Sequence, residues 1–168
     1  MCAQWIRPAL RAILAFTLVL VSVGGSAQTS APAAADNPVL GTWTLVVHKS
    51  HYNPGPPPKS QTRTYEAQPK GVKTTIQTVL ADGESTTVSY TANYDSIEYR
   101  VTGSTTADGI KLTQVDAHTA EAKLMHAGRI VGTARRVVSD DGKTMTITLR
   151  DARGSVQNEA FYQKQAGS

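Results

Sequence analysis

Cysteine is almost missing from this chain: its 168 residues hold one, Cys2. Cys2 precedes an apolar run instead of following it, so it is not a lipid-attachment cysteine. The rest of the chain has no thiol to serve as nucleophile, disulfide partner or metal ligand. A domain without disulfides is held by its core alone, and the 133 residues from Asp36 to Ser168 are enough to bury one. Large aromatics are scarce too. Beyond the N-terminal segment, Trp43 and Phe161 are the only tryptophan and phenylalanine. Charged residues make up 18% of the chain, and both signs are scattered along it. The net charge of +4 falls to +2 without Arg7 and Arg11, with 15 basic against 13 acidic residues. No basic cluster exists, which argues against a nucleic-acid partner. No sustained 3.6-residue period appears outside the N-terminal segment, so helix should be nearly absent. There is no Gly-x-Ser-x-Gly elbow, no P-loop and no dinucleotide glycine pattern.

What is present begins with an export signal. Arg7 and Arg11 form a positive region, Ala12 to Val23 is apolar and uncharged, and Gly25-Ser26-Ala27 offers small residues before a cut. This pattern predicts a signal peptide over 1–27, cleaved after Ala27, and a secreted or periplasmic product. The apolar run is short for a bilayer span, so no stable membrane span is expected after cleavage. An Ala-, Ser- and Pro-rich tether over 28–38 leads to a single domain over 39–165.

Within that domain the hydrophobic pattern has period two. Trp43, Leu45 and Val47 fall on one face of a first strand running from Gly41 to His48. The segment Lys49–Ser60 holds four prolines and excludes a helix or a central strand, leaving an ordered crossover with Tyr52 as its packing anchor. Arg63 and Tyr65 share a face of the next strand; Val72, Thr74, Ile76, Thr78 and Leu80 share one on the strand after. Asp82-Gly83 marks a hairpin. Thr86, Val88, Tyr90 and Ala92 then alternate, and Tyr94-Asp95-Ser96 reads as a turn. Further strands carry Ile110 and Leu112, then Ala120, Ala122 and Leu124. Gly132 interrupts a long one as a bend. Met145, Ile147 and Leu149 line another, and Val156 to Tyr162 ends the set. About ten short strands with turns every eight to twelve residues predict an all-β sandwich or barrel.

Candidate chemistry is thin. His48-x-x-His51 is the only close histidine pair; it lacks a third ligand and reads as two surface residues, so no metal is expected. Asp82 with Glu84, and Asp140 with Asp141, sit in Asp-Gly hairpins, where aspartate supports the turn. Tyr65, Tyr90 and Tyr99 can line a cavity with a polar tip or serve as ordinary core and surface pairs.

At Gly41-Thr42-Trp43 the chain resembles the lipocalin and calycin superfamily, and more closely the lipocalin-like proteins that many bacteria export. Lys49-Ser50, Asn53-Pro54-Gly55 and the segments 59–65, 94–95, 101–103, 131–139 and 141–144 carry the rest of the resemblance. The Thr-Asp-Tyr loop motif of typical lipocalins is missing. The resemblance implies a single antiparallel up-and-down β-barrel of about eight to ten strands, with Trp43 plugging its closed end. It also implies an Arg or Lys packed over that tryptophan, for which Arg135 and Arg136 are the candidates. Adjacent strand residues face opposite ways, so only one of the two reaches it. The expected function is non-enzymatic binding of a small, largely apolar molecule, without a cofactor, by a monomer. The residues expected to meet it are Tyr65, Ile76, Val88, Tyr90, Leu112, Leu124, Met145 and Ile147. The rival is a packed, ligand-free barrel acting as a structural or interaction module of the cell envelope.

Overall fold

The computed structural model describes residues 37–166. The expected signal peptide over 1–27, and all of the tether over 28–38 except Asn37 and Pro38, lie outside the described residues. The strands are β1 (Gly41–Leu45), β2 (His51–Tyr52), β3 (Ser60–Gln68), β4 (Gly71–Val79), β5 (Ser85–Ala92), β6 (Asp95–Arg100), β7 (Gly109–Gln114), β8 (Thr119–His126), β9 (Arg129–Val138), β10 (Thr144–Asp151) and β11 (Val156–Lys164). They form one antiparallel sheet in the order β5-β4-β3-β1-β11-β10-β9-β8-β7-β6, with β2 added on β11. The protein is an all-β, nearly closed up-and-down barrel. Its seam is a single bridge, in which Ser89 and Thr102 exchange backbone hydrogen bonds of 3.0 Å each and their hydroxyls meet at 2.9 Å.

The period-two pattern explains the walls. Along β3, Arg63 and Tyr65 face inward while Thr62, Thr64 and Glu66 face out; on β8 Ala120, Ala122 and Leu124 are inward and Glu121 and Lys123 are out. Aspartates hold the hairpins as predicted: Asp82 accepts the Glu84 amide at 2.9 Å, and Asp141 accepts that of Lys143 at 3.0 Å.

One end of the barrel is sealed. Trp43 is fully buried, with Val39, Val72, Val138, Met145 and Tyr162 packed around it. Its indole N–H donates to the Val39 carbonyl at 2.7 Å, so the one polar atom of the plug is satisfied. The cation over the indole is neither Arg135 nor Arg136. It is Lys164, the cross-strand partner of Trp43, whose Nζ lies 5.2 Å from the ring centroid. Gly41 makes room for it. A Cβ there would sit 3.0 Å from Lys164 Cε, and the backbone φ of +113° suits glycine.

Other expectations shift. The first strand stops at Leu45, not His48, because the Lys49 and Ser50 amides turn back onto Val46 and Val47 in a 3₁₀ turn over Val47–Lys49. The Ser50 hydroxyl donates to the Val46 carbonyl at 2.9 Å and holds that turn. Tyr94 to Ser96 is not a simple turn: β6 already begins at Asp95, and Tyr94 packs inward between two core clusters. The remaining crossover, Asn53–Lys59, has no regular structure, and its expected anchor Tyr52 does pack on the core.

Two substitutions test this architecture. Trp43→Ala should cost about 3–5 kcal/mol in denaturant unfolding; a loss below about 1 kcal/mol would show that the plug is dispensable. Gly103→Ala should open the seam, since a Cβ there would lie 1.9 Å from the Thr87 carbonyl oxygen and φ is +79°. The expected cost is at least about 1–3 kcal/mol, with faster amide exchange at Ser89 and Thr102.

Candidate functional site

Inward side chains do not fill the barrel. They leave a cavity of about 320 Å³, lined by residues of β3 to β5 on one side and β7 to β11 on the other. Seven of the eight residues expected to meet a ligand line it: Tyr65, Ile76, Val88, Tyr90, Leu112, Leu124 and Ile147. Met145 does not. It is 1% exposed, packed in the sealed end beside Val138 and Tyr162. Its inward face follows from alternation, but the floor reaches higher on β10 than period alone reveals.

Chain direction gives the cavity an axis. The β4–β5 hairpin, the β6–β7 connection carrying Ser104 and Thr106, and the Pro-rich crossover after Tyr52 share the end away from Trp43. At the Trp43 end the lining is basic and phenolic. Arg63, the partner of Trp43 across β1–β3, points in with Tyr65. Arg136, two residues before the floor residue Val138, points in from β9. Arg135 faces outward and pairs with Glu121 at 2.6 Å on the exposed surface.

Arg63 Nε donates to Gln61 Oε1 and to the Tyr162 hydroxyl, 3.0 Å each, and that hydroxyl donates on to Gln61 Oε1. The guanidinium also lies 5.3 Å from the Tyr162 ring. Arg136 is held between two rings, 5.4 Å from Tyr65 and 5.5 Å from Tyr94, and donates from Nη2 to the Tyr94 hydroxyl at 2.9 Å. Its Nε is buried and has no hydrogen-bond partner among the described residues. Burial works against both charges, but the phenol oxygens of Tyr162 and Tyr65 around Arg63, and of Tyr94 and Tyr65 around Arg136, outweigh it and hold both guanidiniums above the ordinary arginine range. The phenols are shifted up as well, which for them favours the neutral form. Burial pushes Tyr90 up to about 12, reinforced by Tyr65, and burial likewise pushes Tyr52 up to about 12. At neutral pH the site therefore holds two fixed positive charges among neutral phenols. The one acidic lining residue among the described residues, Glu121, turns away to Arg135.

In the sequence Arg63 shares a face with Tyr65 without being marked as a site residue, and Tyr94 reads as part of a turn. An arginine on an otherwise inward face is the signal that could have found the first. Tyr94 reaches the site through a strand start that no local pattern marks. Tyr99 lies outside the lining and donates to Asp95 at 2.7 Å. His48 and His51 are both exposed, on the 3₁₀ turn and on β2, away from the cavity.

Fold and lining together define a class: an antiparallel barrel sealed at one end, with a basic, tyrosine-rich chamber above the seal. Set against family models and the sequences of curated proteins, the chain matches none.

The buried phenols fix a pH dependence. Tyr52 and Tyr90 have folded-state values above the ordinary 10 of an unfolded tyrosine. The native state therefore binds more protons than the unfolded state between about pH 10 and 12, and the stability they contribute, fully present below pH 10, is lost through that window. Thermal unfolding followed across this range, with phenolate absorbance at about 295 nm, should show ionisation coinciding with unfolding. Free titration of every tyrosine near pH 10 in a folded protein would contradict the burial.

Proposed function

We propose that this is an exported, lipocalin-like barrel that binds one small, largely apolar molecule in its chamber, as a monomer and without catalysis. The observation carrying the reading is the unfilled interior. About 320 Å³ lies at the small end of the range for ligand pockets, and most of the side chains around it are aliphatic or aromatic. Binding is favoured over reaction by the character of the polar groups. Arginines that never deprotonate near neutrality, and tyrosines pushed further from it, are poor proton-transfer groups at pH 7. Export rests on the Arg7-to-Ala27 pattern. The resemblance to lipocalins rests on Gly41-x-Trp43 and more specifically on the segments 131–139 and 141–144. The rival, a filled barrel working through its outer face, gains no specific support from a chamber with this lining.

The test is titration with a neutral apolar fluorophore, N-phenyl-1-naphthylamine. Enhanced, saturable emission with a stoichiometry of about one is expected. Ala122→Phe, which places a ring among Leu112, Leu124 and Ala134, should weaken it at least about tenfold with the unfolding midpoint kept within a few degrees. No enhancement with the unaltered protein, or the same enhancement in the filled variant, would favour the rival.

A further inference from the structure

We propose that the molecule this barrel takes is an anionic amphipath, a carboxylate with an apolar body, seated head-down between Arg63 and Arg136. The proposal rests on the reading of the chamber as a ligand site and adds the chemical class. Arg63 enters from β3 and Arg136 from β9, on opposite sides of the chamber. Tyr65 lies against both: it follows Arg63 on the same inward face, and its ring stacks 5.4 Å from Arg136. Tyr90 lies within electrostatic reach of both guanidiniums as well. Among the described residues no carboxylate faces either arginine from the lining, since Glu121 is engaged outside with Arg135 at 2.6 Å.

Two like charges in a mostly apolar enclosure are costly without a counter-charge. Stacking on tyrosines and single phenol contacts compensate in part. The buried Nε of Arg136 has no hydrogen-bond partner among the described residues, so the polar compensation of this guanidinium is incomplete. A carboxylate supplies the missing charge and the missing acceptors, and guanidinium forks match its geometry. The rest of the chamber sets the rest of the molecule. Ile76 and Val88 stand level with Arg63 across β3–β4–β5, and Leu149, Leu112 and Leu124 rise beyond Arg136 toward the open end. A small volume and an aliphatic upper wall suit a single chain of medium length.

The experiment displaces bound N-phenyl-1-naphthylamine at neutral pH with dodecanoate, dodecanol and dodecylamine, which share a tail and differ in head, and with acetate, a head without a tail. Dodecanoate should displace at concentrations at least about tenfold below dodecanol, dodecylamine should be weakest, and acetate should displace nothing. Arg136→Met should remove most of the acid's advantage and leave dodecanol within about twofold of its value, as should Arg63→Met. If either variant fails to fold, the comparison of heads on the unaltered protein decides. Equal displacement by dodecanol and dodecanoate, or an acid preference unchanged in both variants, would overturn the proposal and leave apolar binding standing. Failure of the fluorophore itself to bind would remove the ligand site on which the proposal rests.

Discussion

The seal at Trp43 sets everything above it. An indole of this size closes one end of the barrel only if its N–H finds an acceptor and its face finds a close neighbour. Val39 supplies the carbonyl, at 2.7 Å, from the segment that enters the barrel. Lys164, at the far end of the chain, supplies the cation over the ring. Its Nζ also donates to the Pro38 carbonyl at 3.2 Å, so one side chain ties the entering segment, the plug and the last strand together. Gly41 is the complement of that lysine, since a side chain there would meet the lysine stem. The Gly-x-Trp pattern is thus a description of an entering segment and two strands meeting, not of one strand.

Above the seal, charge and cavity depend on each other. Each cation–π contact is worth about 0.5–2 kcal/mol, whereas a guanidinium stripped of water loses several. Rings alone do not balance that difference. The chamber lessens it, because both arginines border unfilled space and are only partly buried. A barrel filled to its rim would have to exclude the charges or bring acids in with them. The two guanidiniums and the unfilled space are one solution to one problem.

Much of this was legible in the residues. Period-two alternation places inward and outward residues on nearly every strand, and Asp-Gly pairs mark the hairpins at Asp82 and Asp141, because both signals arise from a few adjacent residues. The barrel interior was legible for the same reason: seven residues chosen by alternation line one cavity. What was not legible depends on distance along the chain. Lys164 meets Trp43 across 121 positions, through the pairing of the first and last long strands, which no local pattern encodes. The height of the floor is a packing outcome as well. Met145 and Ile147 look alike in sequence, yet one is packed into the seal and the other lines the chamber. Arg136 shows the limit in another way. Its inward direction follows from alternation, but its partners are Tyr65 and Tyr94, brought from the opposite wall by closure.

The placement of the arginines is what separates a vessel from a scaffold. Stability alone favours aliphatic residues at inward positions, since each fully buried one contributes about 1.5–3 kcal/mol and leaves no charge to compensate. Ile147, the cross-strand neighbour of Arg136, shows that such a residue fits this layer. A guanidinium with an unsatisfied Nε in the same layer moves stability the other way. Sites of that kind, where a local rule is broken without a gain in the folded state, are where binding leaves its mark on a structure. Here the break is twofold and of one sign, at the depth where the head of an incoming molecule comes to rest.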